Sequence, residues 1–288
     1  MAYGKRGKGK SFTSKCWDWI ADMVNEIADM TDEAKASATF QRWLKFQGCF
    51  HQYSYFNTML IAIQRPGATK VMGGKGWEKV GRRVLRDQWR KKIWILAPIL
   101  RNEEPLRYTS AGKPAKTLIG FRNVYVFDVS QTEGDEIPEL EYRTQGDDDG
   151  LVEALEAEYV RRGISLEYVD TLGGPLGCSA GGKVKLVNSL QGIERASTLA
   201  HELAHEILHW APDGGRPTEP GWYDRHTRSV KEIEAESTAA VILGAWGLEY
   251  APSTMYLACW NGDSKKVRES LGVIVKASKD ILSHVLPA

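Results

Sequence analysis

The chain has 288 residues, a net charge of +1, 42% hydrophobic residues and 26% charged residues. This composition is typical of a globular protein with a buried core, and it excludes a low-complexity or disulfide-dense chain. No apolar run approaches the ~18 residues of a membrane span, and the N-terminus lacks the apolar core of a secretory signal. The four cysteines are far apart, which favours reduced thiols. We therefore expect a cytoplasmic protein without a membrane partner.

Charge is distributed unevenly along the chain. Residues 65–101 contain eleven Lys and Arg against two acids, whereas residues 133–158 contain eleven acids against one Arg. The first fifteen residues carry five positive charges, no acid and few large apolar groups, which is typical of a flexible basic tail. The basic segment and the tail predict an anionic partner such as a nucleic acid.

Hydrophobic periodicity in the first half predicts helices followed by strands. Aromatic-rich amphipathic stretches indicate three helices, at residues 12–30, 34–50 and 53–63. A strand end, a glycine turn and a short helix are expected within residues 70–84. Two β-branched, aromatic strands, predicted to pair antiparallel, follow at residues 92–100 and 121–129. The acidic, glycine-rich residues 132–150 are typical of a linker between domains.

The second half predicts a helix, two strands, two long helices and two closing helices, at residues 253–259 and 264–286. With the first half this indicates an α+β fold. The strand at residues 183–187 is expected at the edge of a small sheet, beside a cleft, where an extended peptide can add as a further strand.

An HExxH motif lies in the first of the two long helices, within residues 198–210, TLAHELAHEILHW. Residues four apart share one face of a helix, so His201 and His205 can reach one metal ion. Glu202 would stand beside the metal, where a carboxylate accepts a proton from water. The motif predicts one Zn²⁺ per chain, although Mn²⁺ or Co²⁺ would fit two imidazoles and a carboxylate.

A third ligand must come from elsewhere, because catalytic zinc usually takes three protein ligands. His209 continues the same helical face but lies about 12 Å from His201 along the axis, too far to share an ion. The metzincin pattern is absent, since Ile207 and Ala211 stand where it needs a glycine and a third histidine. We therefore expect the ligand from the second long helix, residues 229–246.

Glu232 and Glu236 lie four apart in that helix, an arrangement that resembles the thermolysin-like, gluzincin-type peptidases. The resemblance implies that Glu232 binds the metal and that Glu236 hydrogen-bonds the other ring nitrogen of a histidine ligand. The reverse assignment of the two glutamates stays open. Glu234 is expected to point away as a solvated charge. The candidates for stabilising an oxyanion are Tyr223, His226 and Tyr250. For His226 two alternatives stay open, a metal ligand as in SprT-like peptidases and a surface histidine.

The first half carries a second resemblance. The runs NTMLIAIQRPGATKVMGGKGWEKVGRRV, IWILAPIL and FRNVYVFDVSQTEG resemble the N-terminal domain of ArdC-type antirestriction proteins. Their family joins a domain that binds single-stranded DNA to a zincin-like metallopeptidase domain related to IrrE and ImmA, and it is carried by mobile elements. The resemblance covers residues 40–250, with LRDQWRKK as one departure from the family's pattern. Together with the composition of the tail and the linker, it implies a basic tail at 1–15, a DNA-binding domain at 16–131, a linker at 132–150 and a metallopeptidase domain at 151–288.

Tryptophans interleaved with cations also indicate nucleic-acid binding without the resemblance, because ring faces stack on bases and cations meet phosphates. The alternative is that Trp77 and Trp94 belong to the core and that the cations form a solvated face. The predicted DNA-binding residues are Lys75, Trp77, Lys79, Arg82, Arg83, Arg86, Trp89, Arg90, Lys91 and Lys92.

Three functional hypotheses follow. The first is an antirestriction protein that binds single-stranded DNA non-specifically and carries a zinc metallopeptidase acting on an unknown protein substrate. The second is an IrrE- or ImmA-like regulatory peptidase that cleaves a repressor. The third is a non-catalytic DNA-binding shield with a structural metal site.

Overall fold

The computed structural model describes residues 12–29, 33–103, 114–136, 148, 150–211, 213–215, 217–218, 226–248, 250 and 263–286. The chain divides into two compact units: unit 1 comprises residues 1–23 and 59–136, and unit 2 comprises residues 24–58 and 137–288. Both contain helices and strands, in agreement with the α+β prediction. Among the described residues, no helix is long and apolar enough to cross a membrane.

Three α-helices precede the first strand of the described chain, and three α-helices follow the last one. The helices are α1 (Phe12–Asp29), α2 (Glu33–Cys49), α3 (Tyr55–Gln64), α4 (Gly74–Lys79), α5 (Leu151–Arg162), α6 (Gly192–His209), α7 (Arg228–Trp246) and α8 (Ser264–Val285). The strands are β1 (Val71–Met72), β2 (Arg82–Val84), β3 (Ile93–Asn102), β4 (Lys116–Asp128), β5 (Thr132–Gly134), β6 (Ser165–Val169), β7 (Gly177–Ser179) and β8 (Lys183–Val187).

Unit 1 is built on the antiparallel pair that its β-branched and aromatic runs predict. β3 and β4 pair from Ile93 opposite Val126 to Asn102 opposite Lys116. β1 adds to the other edge of β4, while β2 and β5 form a separate two-stranded ladder. The N-terminal part of α1 covers one face of the large hairpin, where Phe12 contacts Trp94 with ring centroids 4.9 Å apart.

Unit 2 contains a mixed three-stranded sheet in the order β6-β8-β7, with β6 parallel and β7 antiparallel to β8. The expectation that residues 183–187 form the edge strand is therefore wrong, because β8 is the central strand. The edge beside α6 is β7. Its three residues follow a glycine-rich stretch with no alternating pattern, so the sequence carries no strand signal there.

Helix α7 is the centre of unit 2. It packs against α6, α2 and α8, and every residue from Ile233 to Ala245 except Glu236 is buried. Small residues permit this close packing: a Cβ added at Gly48 in α2 would lie 3.1 Å from the Gly244 backbone of α7. A buried α7 positions its glutamates against α6.

The observed boundaries differ from the predicted domains in three places. α1 begins at Phe12, inside the predicted tail, and β5 pairs with β2 inside the predicted linker. Residues 24–58 group with unit 2, because α2 packs on α7. The helix predicted at residues 253–259 lies outside the described residues, whereas α8 matches the last predicted helix.

Candidate metal centre and nucleic-acid surface

Three ligand atoms from α6 and α7 converge in unit 2. The Nε2 atoms of His201 and His205 lie 3.0 Å apart. Glu232 Oε2 lies 3.5 Å from His201 Nε2 and 3.6 Å from His205 Nε2. Within the part of the chain that the structure describes, these residues are the one group of His, Cys, Asp and Glu side chains whose donor atoms are clustered closely enough to hold a metal ion.

The donor set fits a divalent cation. His201 Nδ1 is 2.9 Å from Glu236 Oε2, an oxygen that accepts hydrogen bonds, so Nδ1 carries a proton. At a tetrahedral zinc with bonds of ~2.0–2.1 Å, ligand atoms are separated by about 3.3 Å. The separations of 3.0, 3.5 and 3.6 Å bracket that value. Ring nitrogens and a carboxylate oxygen this close together attract a cation.

The pKa shifts of the clustered residues also show that the site favours a positive charge. Burial by itself would lower the pKa of His201, but its interactions with Glu232 and Glu236 outweigh burial and raise the pKa to about 9. Hydrogen bonds with His201 and His205 hold the pKa of Glu232 well below its usual range. A proton on His201 therefore occupies the cluster when metal is absent, and a metal ion must displace it.

Glu202 lies beside the triad and is almost fully buried, with 7% of its surface exposed. It is held between α6 and the edge strand, since a Cβ added at Gly177 would lie 2.6 Å from Glu202 Oε1. Burial raises the pKa of Glu202 above its ordinary value. A carboxylate with a raised pKa next to a metal site is suited to accept and return a proton.

The triad opens into a cavity of about 900 Å³, which Glu202, Cys178, Arg228 and Tyr250 also line. The Tyr250 hydroxyl donates to Glu236 Oε1 at 2.6 Å, so Tyr250 supports the carboxylate that contacts His201. Burial and the neighbouring Glu236 raise the pKa of Tyr250.

The two other predicted oxyanion candidates are placed differently. His226 lies two residues before α7, with its ring centroid 6.4 Å from that of His209. Tyr223 lies outside the described residues.

Glu234 does not point into solvent, which corrects the sequence-based expectation. The residue is 3% exposed, and its Oε2 lies 3.1 Å from His209 Nε2. Burial lowers the pKa of His209, although its hydrogen bond with Glu234 opposes this. The signal that was missed is the apolar run after Glu236, which indicates a helix buried on all faces and therefore a buried Glu234.

Glu206 is a second structural acid that the sequence reasoning missed. Its Oε1 accepts from Ser179 Oγ at 2.7 Å and from the Gly181 amide at 3.0 Å, and its Oε2 accepts from the Gly182 amide at 2.6 Å. These bonds tie the β7–β8 turn to α6. The available signal was the position of Glu206 among the apolar residues Ala204, Ile207 and Leu208.

Several predicted DNA-binding residues of unit 1 have structural contacts instead. Trp77 is fully buried, and its Nε1 donates to the Phe127 carbonyl at 2.9 Å, so neither ring face is available to a base. This corrects its assignment and favours the core alternative. Arg82 donates to Thr132 Oγ1 at 2.8 Å and supports the β2–β5 ladder. Arg83 pairs with Glu133 at 2.7 Å on the surface.

An exposed aromatic and basic surface remains on unit 1. Trp89 is 43% exposed and Tyr125 is 39% exposed, with ring centroids 6.1 Å apart. Lys92 Nζ lies 4.8 Å from the Trp94 ring centroid and 5.0 Å from that of Tyr125. Apart from Arg83, which pairs with Glu133, the predicted cations at exposed positions of this unit are Lys75, Lys79, Arg86, Arg90 and Lys91.

The fold and the site define an α+β protein with a candidate His-His-Glu metal centre on two packed helices. The chain matches no known protein-family profile and no curated protein. It is similar to the metal-free crystal structure of the antirestriction ArdC protein from the R388 plasmid, with 17% identity and a TM-score of 0.46 over 80% of this chain and 84% of that chain. The Mn(II)-bound structure of the same protein gives 15% identity and a TM-score of 0.46 over 81% and 89%. At so low an identity and TM-score, the similarity assigns neither a metal nor an activity to this chain.

Proposed function

We propose that unit 2 is a zinc-dependent metallopeptidase. The observation that carries the proposal is the convergence of His201, His205 and Glu232 within 3.6 Å, with the buried Glu202 beside them. Zinc bound by these three residues would supply Lewis-acid chemistry that polarises a scissile carbonyl and makes water acidic. Manganese or cobalt suits the same ligands.

The chain's own residues supply the proton transfers and the orientation. The Glu202 carboxylate accepts a proton from the attacking water and passes it to the leaving amine nitrogen. Glu236 orients the His201 ring through Nδ1, and Tyr250 orients Glu236. A protein substrate fits this site, because edge strand β7 borders the cavity and can pair with an extended peptide.

Metal content and peptide cleavage test this proposal together. The purified chain would be assayed for zinc, manganese and cobalt, then incubated with a peptide library prepared from a proteome digest. We expect about one metal ion per wild-type chain, its loss in Glu232→Gln, and retained metal without cleavage in Glu202→Gln. Glu194→Gln, a matched change at an exposed position of α6, is expected to behave as wild type. A wild-type chain without divalent metal would overturn the proposal.

We propose a second activity for unit 1, the non-specific binding of single-stranded DNA. It is supported by the exposed rings of Trp89 and Tyr125 next to Lys92, since aromatic faces and cations together bind single strands without sequence preference. Binding to mixed-sequence single- and double-stranded oligonucleotides across a salt series tests it. We expect preference for single strands and weaker binding at high salt. Binding that is absent at low salt would contradict this proposal.

An antirestriction role, the protection of incoming mobile-element DNA, would use both activities. This role rests on the sequence resemblance. The two alternative functions predict different results in cells. A repressor-cleaving regulator needs Glu202, whereas a non-catalytic shield needs only DNA binding. Protection that survives Glu202→Gln but not charge reversal of Arg86 and Arg90 would favour the shield. Arg82 is left unchanged in this test, because its hydrogen bonds support the β2–β5 ladder.

A further inference from the structure

A chain of hydrogen bonds, buried at its inner end, runs away from the candidate metal centre behind His205. His209, one turn along α6, is 5% exposed, and its Nδ1 lies 2.9 Å from His205 Nδ1. Its Nε2 lies 3.1 Å from Glu234 Oε2 on α7. Ser270 of α8 donates to Glu234 Oε1 at 2.7 Å. Four side chains from three helices therefore form one connected series.

The direction of these hydrogen bonds follows from the carboxylate at the inner end. Glu234 offers carboxylate oxygens to both neighbours, so the hydrogen of the His209–Glu234 bond lies on His209 Nε2 and the lone pair of the ring lies on Nδ1. His209 Nδ1 must then accept from His205 Nδ1–H. A neutral His205 that donates from Nδ1 carries its lone pair on Nε2, the atom that faces His201 and Glu232.

We infer that His209 is a positioning residue that holds His205 in the tautomer whose Nε2 can bind metal. Glu234 and Ser270 determine which ring nitrogen of His209 carries the hydrogen. The inference rests on the proposed metal centre. The two histidine ligands are thus supported differently: His201 directly by a carboxylate, Glu236, and His205 by a carboxylate acting through a second imidazole. The burial of His209 and Glu234 matters because water would otherwise satisfy either tautomer.

Two substitutions of His209 separate its hydrogen bond from its volume. His209→Phe keeps a ring of similar size and removes both ring nitrogens. His209→Asn places Oδ1 near the position of Nδ1 and restores an acceptor for His205. We expect His209→Phe to weaken zinc binding by about 10- to 100-fold, measured by chelator competition, and His209→Asn to recover most of that loss.

The tautomer itself is read from ¹⁵N spectra of the metal-free, full-length chain labelled at its six histidines. We expect His205 to carry its proton on Nδ1 in the wild type and in His209→Asn, and to populate both tautomers in His209→Phe. A wild-type His205 protonated on Nε2 alone would overturn the inference, as would unchanged zinc affinity in His209→Phe. The wild-type spectrum needs no variant, so it decides even where a variant does not fold.

Failure of the proposed function is distinguishable in the same samples. A wild-type chain that binds no zinc overturns the metal centre, and the positioning role with it. Zinc binding by the wild type together with equal losses in His209→Phe and His209→Asn overturns the positioning role alone, because the restored acceptor would then have no effect.

Discussion

Gly177 faces Glu202 across the junction of β7 and α6, where an added Cβ would lie 2.6 Å from Glu202 Oε1 and 2.7 Å from its Cγ. The same Cβ would lie 2.9 Å from Thr198 Cγ2. Real side chains do not tolerate such distances, so the glycine is what lets the edge strand lie against the buried carboxylate. The position of Glu202 therefore depends on a residue outside the HExxH motif.

Gly177→Ala is expected to displace Glu202 and to lower the free energy of unfolding by about 1–3 kcal/mol, the usual cost of overpacking. A double-mutant cycle with Glu202→Ala tests the contact, because shortening Glu202 removes most of the clash. We expect a coupling free energy of about 0.5–3 kcal/mol by denaturant unfolding. Gly272→Ala, where an added Cβ meets no atom within 4 Å, is the control. Additive effects at Gly177 and Glu202 would contradict the predicted contact.

Glu202→Gln is expected to stabilise the metal-free chain at neutral pH. Burial raises the pKa of Glu202, so stability is fully present below the ordinary carboxyl pKa and is lost as pH rises through the raised pKa of the folded state. We expect a rise in Tm of about 2–4 °C at neutral pH for each kcal/mol regained. The difference from wild type should shrink as pH falls below the ordinary carboxyl range. A lower Tm for the variant at neutral pH would show that the ionised carboxylate is stabilising instead.

Zinc affinity is expected to rise with pH up to about 9. The pKa of His201 in the metal-free chain is raised to about 9, so below that pH zinc must displace a proton, with a change in affinity of about tenfold per pH unit. Chelator competition at several pH values between 7 and 9 measures the slope. Glu236→Gln removes one of the carboxylates that raise this pKa and should flatten the dependence. A wild-type affinity that is constant over this range would rule out the protonated His201.

Truncation of Trp77 is expected to affect mainly stability, whereas truncation of Trp89 is expected to affect mainly DNA binding. Trp77→Ala removes a fully buried ring and its hydrogen bond to the Phe127 carbonyl, and should cost about 3–5 kcal/mol of stability. Trp89→Ala removes a ring that is 43% exposed, and should cost less stability than Trp77→Ala while weakening single-stranded DNA binding by about 1–3 kcal/mol. Chemical unfolding and fluorescence anisotropy measure the two effects. Unaltered oligonucleotide binding by Trp89→Ala would remove this residue from the interface.

The local pattern predicted the helices and the long hairpin well. Amphipathic periodicity placed α1, α2, α3 and α8 to within a few residues, and β-branched runs placed β3 and β4. Short strands were the failure: β7 and β5 have three residues each and lie in glycine-rich or acidic stretches. Such segments pair because a neighbouring strand is already in place, which is a long-range effect that no local pattern carries.

The sequence by itself determined that His201 and His205 share a helical face and that Glu232 and Glu236 share another, because the 3.6-residue period is a local property of the backbone. Tertiary structure alone decided that these faces meet, with donor atoms 3.0 to 3.6 Å apart. It also decided that Glu234 is buried against His209 and that Trp77 belongs to the core. Burial is set by which elements pack together. Until the helices and strands around them are known, a glutamate is therefore predicted to be a solvated charge and a tryptophan to be an exposed ring.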